Sequence, residues 1–401
     1  MPAVRTVPCI NVPLYKIGVI ASHPIQYQAP IFRELNERAE LLVYFAHRDT
    51  PEDQASEGFG VAFKWDRDLT EGYDYRFLEN HSKKPSFSRF FGCITPEIFT
   101  IIREKNFDAV LVMGWNLYSY WQAVIACKIT KTPVMVRGDS TLYTSRSRLR
   151  SLIKWLPYRL MFRLFDRFLY VGKNSKEYYE FYGVDKNRLF FSPHSVDNHW
   201  FRAKVMGLEK SKVRKKYGID KDDFIILCVG KLVKEKRPSD VIDAVSGLDR
   251  QCAIVYVGSG EEEPVLIEGS RAKGVRSYFL GFKNQTEMPE CYLLSDVLVL
   301  PSASETWGLV VNEAMACGIP AIVSDAVGCA KDLVEEGVTG FSYPVADVNA
   351  LRKILSILID NYTPEQYFHS VQNRVMEYTP AHSSLGILSA CKSVCHEYNG
   401  S

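Results

Sequence analysis

Pro301-Ser-Ala-Ser-Glu-Thr-Trp-Gly-Leu-Val-Val-Asn-Glu-Ala-Met-Ala-Cys-Gly-Ile-Pro320 decides the fold. It follows a short apolar strand, Val297–Leu300, and turns through small residues into an apolar helix. Glu305 falls just before that helix and Glu313 about two turns inside it. Backbone N–H groups, the positive end of the helix dipole and two carboxylates therefore converge at the carboxyl end of a strand. Open α/β sheets bind anionic ligands at such places. One ligand chemistry satisfies every part, a sugar nucleotide with its diphosphate on the helix start and its hydroxyls on the glutamates.

Outward from this stretch the chain alternates strands and helices. The second half offers strands at Phe224–Gly230, Ala253–Gly258, Arg276–Leu280, Val297–Leu300 and Ala321–Ser324, with helices near 237–248, 286–294, 308–317 and 348–360. The first half opens with Lys16–Ala21, an apolar run of the kind buried in parallel sheets. A polar loop, Ser22–Gln28, and a helix, Pro30–Arg38, follow. Further strands are expected at Glu40–Ala46, Asp108–Met113, Pro133–Arg137 and Arg167–Val171. Residues 49–95 show no clean period and read as an insertion; residues 115–130 read as an aromatic-rich helix. Such alternation implies α/β architecture, here two Rossmann-like parallel-sheet domains facing across a cleft. The expected boundaries are 1–205, 206–375 and a last segment, 376–401, whose helix Ser383–Tyr398 returns to the first domain.

Composition excludes several classes. At 401 residues the chain exceeds one comfortable core. No apolar run approaches the roughly 20 residues that span a bilayer, and the first residues carry no signal-peptide pattern. Ten scattered cysteines read as reduced core residues of a cytoplasmic protein. Cys391 and Cys395, four apart on a helix, have no second pair to complete a zinc site. The net charge of +2 hides one uneven region. Residues 146–167 carry Arg146, Arg148, Arg150, Lys154, Arg159, Arg163 and Arg167 among many apolar and aromatic side chains. That segment suits peripheral contact with an anionic membrane surface or a lipid-linked acceptor. It equally suits a surface helix whose apolar stripe faces the core. Nucleic acid is not expected, since no motif or wider basic excess accompanies it.

Counting those of the opening stretch, six elements stand in order: Val229-Gly-Lys-Leu-Val-Lys-Glu-Lys236, Val257-Gly-Ser-Gly260, Phe279-Leu-Gly-Phe282, Asp296–Ser302, the E-x7-E spacing of Glu305 and Glu313, and Ala314–Pro320. With Gly340 and Asp347, this series resembles the large retaining glycosyltransferase family numbered four, of GT-B type. The resemblance covers the second half almost completely and the first half less well. It implies a metal-independent transferase that moves a sugar from a nucleotide-diphosphate donor to a hydroxyl of a glycan, lipid-linked or small-molecule acceptor. No cofactor is expected. Lys231 and Lys236 would face the diphosphate in the metal's place; the family usually has Arg at the Lys231 position, so the charge is kept and the bidentate fork lost. Glu313 would accept from the ribose hydroxyls, and Glu305 would contact the donor sugar. Backbone N–H groups of Trp307, Gly308 and Leu309 would cradle phosphate, and Gly258 would lie by the nucleobase. The loop Ser22–Gln28 lacks the family's glycines and presents His23 instead. Where many members carry a His six residues after the proline of the strand that begins at Pro133, this chain has Asp139 beside Arg137. The turn Ser192–Asn198 reads as a structural hinge. Those departures keep a second reading open, a catalytically decayed sugar-nucleotide-binding partner subunit.

Overall fold

The computed structural model describes residues 15–48, 50, 63–142 and 148–400. Two wholly parallel sheets organise the chain. The first contains β1 (Lys16–Ala21), β2 (Glu40–Phe45), β3 (Asp74–Phe77), β4 (Ala109–Val112), β5 (Val134–Gly138), β6 (Arg167–Tyr170) and β7 (Leu189–Phe191), in the order β3-β2-β1-β4-β5-β6-β7. The second contains β8 (Phe224–Val229), β9 (Cys252–Val257), β10 (Ser277–Phe279), β11 (Val297–Leu300), β12 (Ala321–Ser324) and β13 (Gly340–Tyr343), in the order β10-β9-β8-β11-β12-β13. Each sheet winds outward in both directions from its first strand. The order therefore reverses between β1 and β4 and again between β8 and β11, and crevices open beyond the strand ends there. These are the two Rossmann-like α/β units expected from the alternation.

Central strands are buried along their whole length because helices cover both faces. β4, β9, β11 and β12 are buried at every position. Three strands escape the sequence reading: β3, β7 and β13. β3 corrects the view of residues 49–95 as wholly an insertion, since Asp74–Phe77 pairs in parallel with Leu42–Phe45. It is an edge strand with three exposed residues of four, so it lacks the apolar run that marks its neighbours.

The last helix, Pro380–Gly400, returns to the first domain. Ile387, Ala390, Cys391 and Val394 enter the core formed by Ile17, Val19, Ile31 and Phe32. Gly386 is required where this helix crosses β7, since a Cβ there would stand 1.8 Å from the Phe191 carbonyl oxygen. The two domains also join directly. Asp332 of the second accepts the Lys173 N–H at 3.1 Å, at the start of the Lys173–Phe181 helix of the first. Its carboxylate thereby meets the positive end of that helix dipole. Asn174 Nδ2 donates to the Gly328 carbonyl at 3.1 Å alongside. Arg137 anchors the hinge turn. Its buried guanidinium donates to Ser192 Oγ (3.1 Å) and to the Ser192 and Pro193 carbonyls (3.2 and 3.0 Å), fixing the hinge turn to β5.

Candidate functional site

A cavity of about 420 Å³ lies between the domains, at the strand ends where both sheets reverse order. His23, Ile25, Tyr27, Trp65 and Phe87 line its first-domain side; Lys231, Gly258, Gln285, Leu309 and Glu313 line the other. The volume is in the range of a site for a small organic ligand.

Glycines shape the second-domain side. Gly258 has φ +135°, and a Cβ on it would lie 2.0 Å from the Gly230 carbonyl oxygen. The loops after β8 and β9 thus touch backbone to backbone, which sets Lys231 beside the Gly258–Gly260 turn. Gly308 has φ +96° and caps the Leu309–Ala316 helix, turning the chain sharply from β11 into it. A Cβ there would meet Leu300 Cδ2 at 2.9 Å. Among the described residues, the backbone N–H groups of Gly308, Leu309 and Val310 donate to no protein acceptor. They are the unsatisfied donors of a helix start, at the mouth of the cavity.

Lys236 closes a short 3-10 turn after β8, and its ammonium pairs with the Glu305 carboxylate. Both side chains are largely shielded, so the two charges stand together at the cleft and outside the main cavity. Ala303 N–H donates to the Glu235 carbonyl at 2.8 Å, tying their two loops together. Glu305 also borders a smaller recess with Thr141, Asn174 and Asp325, reached from both domains. Glu313 lines the cavity from inside its helix and is 9% exposed. Burial pushes its carboxyl up to about 7, opposed by the hydroxyl of Tyr292, which donates to Oε2 at 2.5 Å.

The remaining sequence-predicted residues are placed as follows. Lys231 is exposed on the cavity rim. His23 lines the cavity, its ring stacked on Phe87 at 4.1 Å and its Nδ1 3.0 Å from Ser22 Oγ. The Trp307 side chain points away from the cavity into the interdomain core, where its indole N–H donates to Asn312 Oδ1 at 2.8 Å. Asp139, at the end of β5, faces His194 rather than Lys231 or Glu313, with 3.7 Å from Oδ2 to Nε2. Burial alone would raise the Asp139 carboxyl; His194 and Arg137 outweigh it and hold the group below its ordinary value. Burial lowers the imidazole of His194.

His194 is the residue the sequence reading missed as part of the cleft. Its ring contacts Tyr27 of the first domain (5.3 Å) and Trp307 of the second (5.5 Å). Its Nδ1 is buried and finds no hydrogen-bond partner among the described residues. A lone histidine in a hinge turn carries no spacing signal that would have singled it out.

The expectation of metal independence rests on there being no Asp-x-Asp pair, and the sequence has two, Asp66–Asp68 and Asp220–Asp222. In the fold they make turns and interdomain contacts. Asp66 Oδ2 accepts the Thr286 N–H at 3.0 Å, Asp68 Oδ1 the Thr70 N–H at 2.8 Å, and Asp220 Oδ1 the Asp222 N–H at 3.0 Å. Among the described residues, no group of three His, Cys, Asp or Glu side chains is arranged to hold an ion.

Two Rossmann-like domains with a cation–carboxylate pair and a free helix start at their shared cleft define a class of nucleotide-binding α/β proteins. Comparison with known proteins narrows it. Residues 209–374 match the family model for glycosyl transferases group 1. The O-antigen biosynthesis glycosyltransferase WclY of Escherichia coli is 30% identical over 302 residues, 74% of each chain. An N,N'-diacetylbacillosaminyl-diphospho-undecaprenol alpha-1,3-N-acetylgalactosaminyltransferase of Campylobacter jejuni is 23% identical over 65% of this chain and 70% of that one. Among solved structures, Anabaena HepE in complex with UDP superposes with a TM-score of 0.72 at 17% identity, covering 94% of this chain and all of that one, and has the same GT-B fold. The chain belongs to the group 1 glycosyltransferases. Its match spans only 38% to 44% of the length of several other curated relatives.

Proposed function

We propose that the protein transfers a sugar from a nucleotide-diphosphate donor to a hydroxyl acceptor, with retention at the anomeric carbon and without a divalent ion. The observation that carries this reading is the convergence of Lys236–Glu305, Glu313 and the free N–H groups of the Leu309–Ala316 helix on one interdomain cleft. The diphosphate lies on the helix start, between Lys231 and Lys236, and the ribose hydroxyls donate to Glu313. The donor sugar reaches Glu305, which exchanges part of its contact with Lys236 for sugar hydroxyls. As the bond from the anomeric carbon to phosphate oxygen breaks, negative charge grows on the leaving diphosphate. The two lysines and the helix dipole stabilise it. The acceptor oxygen bonds to the anomeric carbon on the same face, and its proton passes to the departing phosphate oxygen. Nucleoside diphosphate and a glycoside of unchanged configuration result.

The HepE structure with UDP and the names of the two transferase relatives support this class of donor and a glycan or lipid-linked acceptor. A thermal-shift panel of nucleoside diphosphates and their sugars, with and without EDTA, tests the donor site. At a hundredfold excess over Kd a ligand specific for the folded state adds about 2.7 kcal/mol. Stabilisation by one base type, indifferent to EDTA and lost in Glu313→Ala, is expected. No stabilisation by any nucleotide overturns the reading. Binding without turnover, or even slow donor hydrolysis, would instead favour the decayed partner subunit. The anomeric coupling constant of the product tests retention.

A further inference from the structure

The segment around the helix Arg148–Phe162 carries apolar side chains on both its inward and its outward side. A surface helix with one apolar stripe buries that stripe and shows water a polar face. Here Phe162 and, just beyond the helix, Phe165 enter the first-domain core. A second apolar stripe points outward. Ile153, Leu156, Leu160 and Leu164 are 68%, 58%, 50% and 42% exposed, and their spacings of three and four residues put them on one side. The adjoining helix Tyr118–Thr130 packs on this segment through Trp121 and Phe165, at 6.0 Å. It adds outward-facing Ile125 and Ile129, 46% and 70% exposed.

Cations border these apolar groups. Lys154, Arg163, Lys128 and Lys131 are exposed, and the Arg159 guanidinium lies 5.0 Å from the Trp155 ring. No acidic residue occurs between 140 and 165 in the sequence. Asp166 is paired with Lys128 at 3.1 Å. Apolar side chains rimmed by charge of one sign match the acyl and headgroup layers of an anionic bilayer. A second copy of the chain fits less well, since a two-fold contact through this face would set arginine against arginine.

From this surface we infer that the first domain docks on anionic lipid through the outward side of residues 153–164 and the end of Tyr118–Thr130. The ends of both helices lead into the starts of β5 and β6, so this surface lies toward the amino ends of the strands, away from the cleft at their carboxyl ends. The docking surface stands apart from the donor site and does not depend on it.

Co-sedimentation of the full chain with vesicles tests it. Expected is partition onto vesicles of phosphatidylcholine mixed with phosphatidylglycerol, weak partition onto phosphatidylcholine alone, and release at about 0.5 M salt. Arg163→Gln should lower the partition roughly fivefold. The double variant L156S and L160S, at exposed positions, should lower it about tenfold or more while its melting temperature and nucleotide stabilisation stay as in the wild type. Equal partition onto neutral vesicles, no partition, or unchanged partition of the folded double variant would overturn the inference. So would a concentration-dependent dimer, abolished by the double variant, in place of vesicle binding; that outcome assigns the face to a second copy.

Discussion

The two sides of the cleft rest on the same strand order and carry opposite chemistries. The second-domain side gathers Lys231, Lys236, Glu305 and Glu313 around backbone turns that only glycine permits. The first-domain side is mostly aromatic: His23 on Phe87, Tyr27 against His194, and Trp65 at the edge. A diphosphate and a ribose present one fixed pattern of charge and hydroxyls, so the side that would hold them needs charged groups and N–H donors at fixed spacings. Acceptors vary in shape, and aromatic surfaces recognise sugar faces without fixing a hydrogen-bond pattern. If this division is right, substitutions on the two sides should fail in different ways.

The largest effect is expected at Lys236. Lys236→Ala removes the cation paired with Glu305 and leaves that carboxylate to repel the leaving diphosphate. Loss of a preorganised charge that acts mainly in the transition state should lower kcat by about a hundredfold to a thousandfold with a smaller change in KM for the donor. Lys231→Ala, exposed on the rim, should cost only about tenfold, because water already screens that charge. Steady-state kinetics on both variants measure the contrast. Equal losses would mean that the ion pair is structural and that both lysines act only through net charge.

That contrast bears on how much could be read from the chain. The groups of the second-domain side fall in three short segments, 229–236, 258–260 and 301–313, each following a strand whose burial shows as an apolar run. Local spacing is enough to find them. The first-domain side draws Tyr27, Trp65, Phe87, Asp139 and His194 from five separate segments, and only the tertiary fold brings them together. Fold legibility divides along the same line. β8, β9, β11 and β12 sit centrally and are marked by apolar runs. β3 and β7 are the two edge strands of the first sheet, where half-solvated positions dilute the pattern. The Gly258–Gly230 contact is visible only in three dimensions; in the sequence Gly258 reads as one more turn glycine.

A second test sharpens the donor side through pH. The Glu313 carboxyl is raised by burial from its ordinary 4.5 to about 7. A group with a raised folded value contributes stability that is complete below the unfolded value and is lost as pH climbs through the folded one. The free protein should therefore lose up to about 3 kcal/mol from this group between pH 4.5 and 8. Glu313→Gln keeps the Tyr292 contact without the charge, so its stability should stay level over that range and exceed wild type at about pH 8. Nucleotide binding should show the reverse trend. Ribose hydroxyls favour the carboxylate, so wild-type affinity should rise from about pH 6 to 8, while the variant binds roughly tenfold more weakly and without that slope. Denaturant melts and titration calorimetry at several pH values separate the two. A flat wild-type binding profile would place the ribose elsewhere.

The smallest effect is expected at His194, where the two sides meet. The imidazole sits between Tyr27 and Trp307 with Nδ1 unpartnered among the described residues, and Nε2 is 3.7 Å from Asp139, too long for a hydrogen bond. Phenylalanine is one ring atom larger, a packing cost offset in part by removal of the unpaired polar atom, so His194→Phe should change stability by no more than about 1–2 kcal/mol. What it does remove is the polar neighbour that helps hold Asp139 below its ordinary carboxyl value. Asp139 then titrates higher and is less firmly oriented toward the first-domain side of the cleft. The donor side should not register this: nucleotide-induced stabilisation in His194→Phe should equal wild type. Acceptor KM should rise a fewfold, and more at acidic pH than at neutral. If donor binding weakens as well, the hinge turn transmits strain between the domains, and the two sides of the cleft are one site.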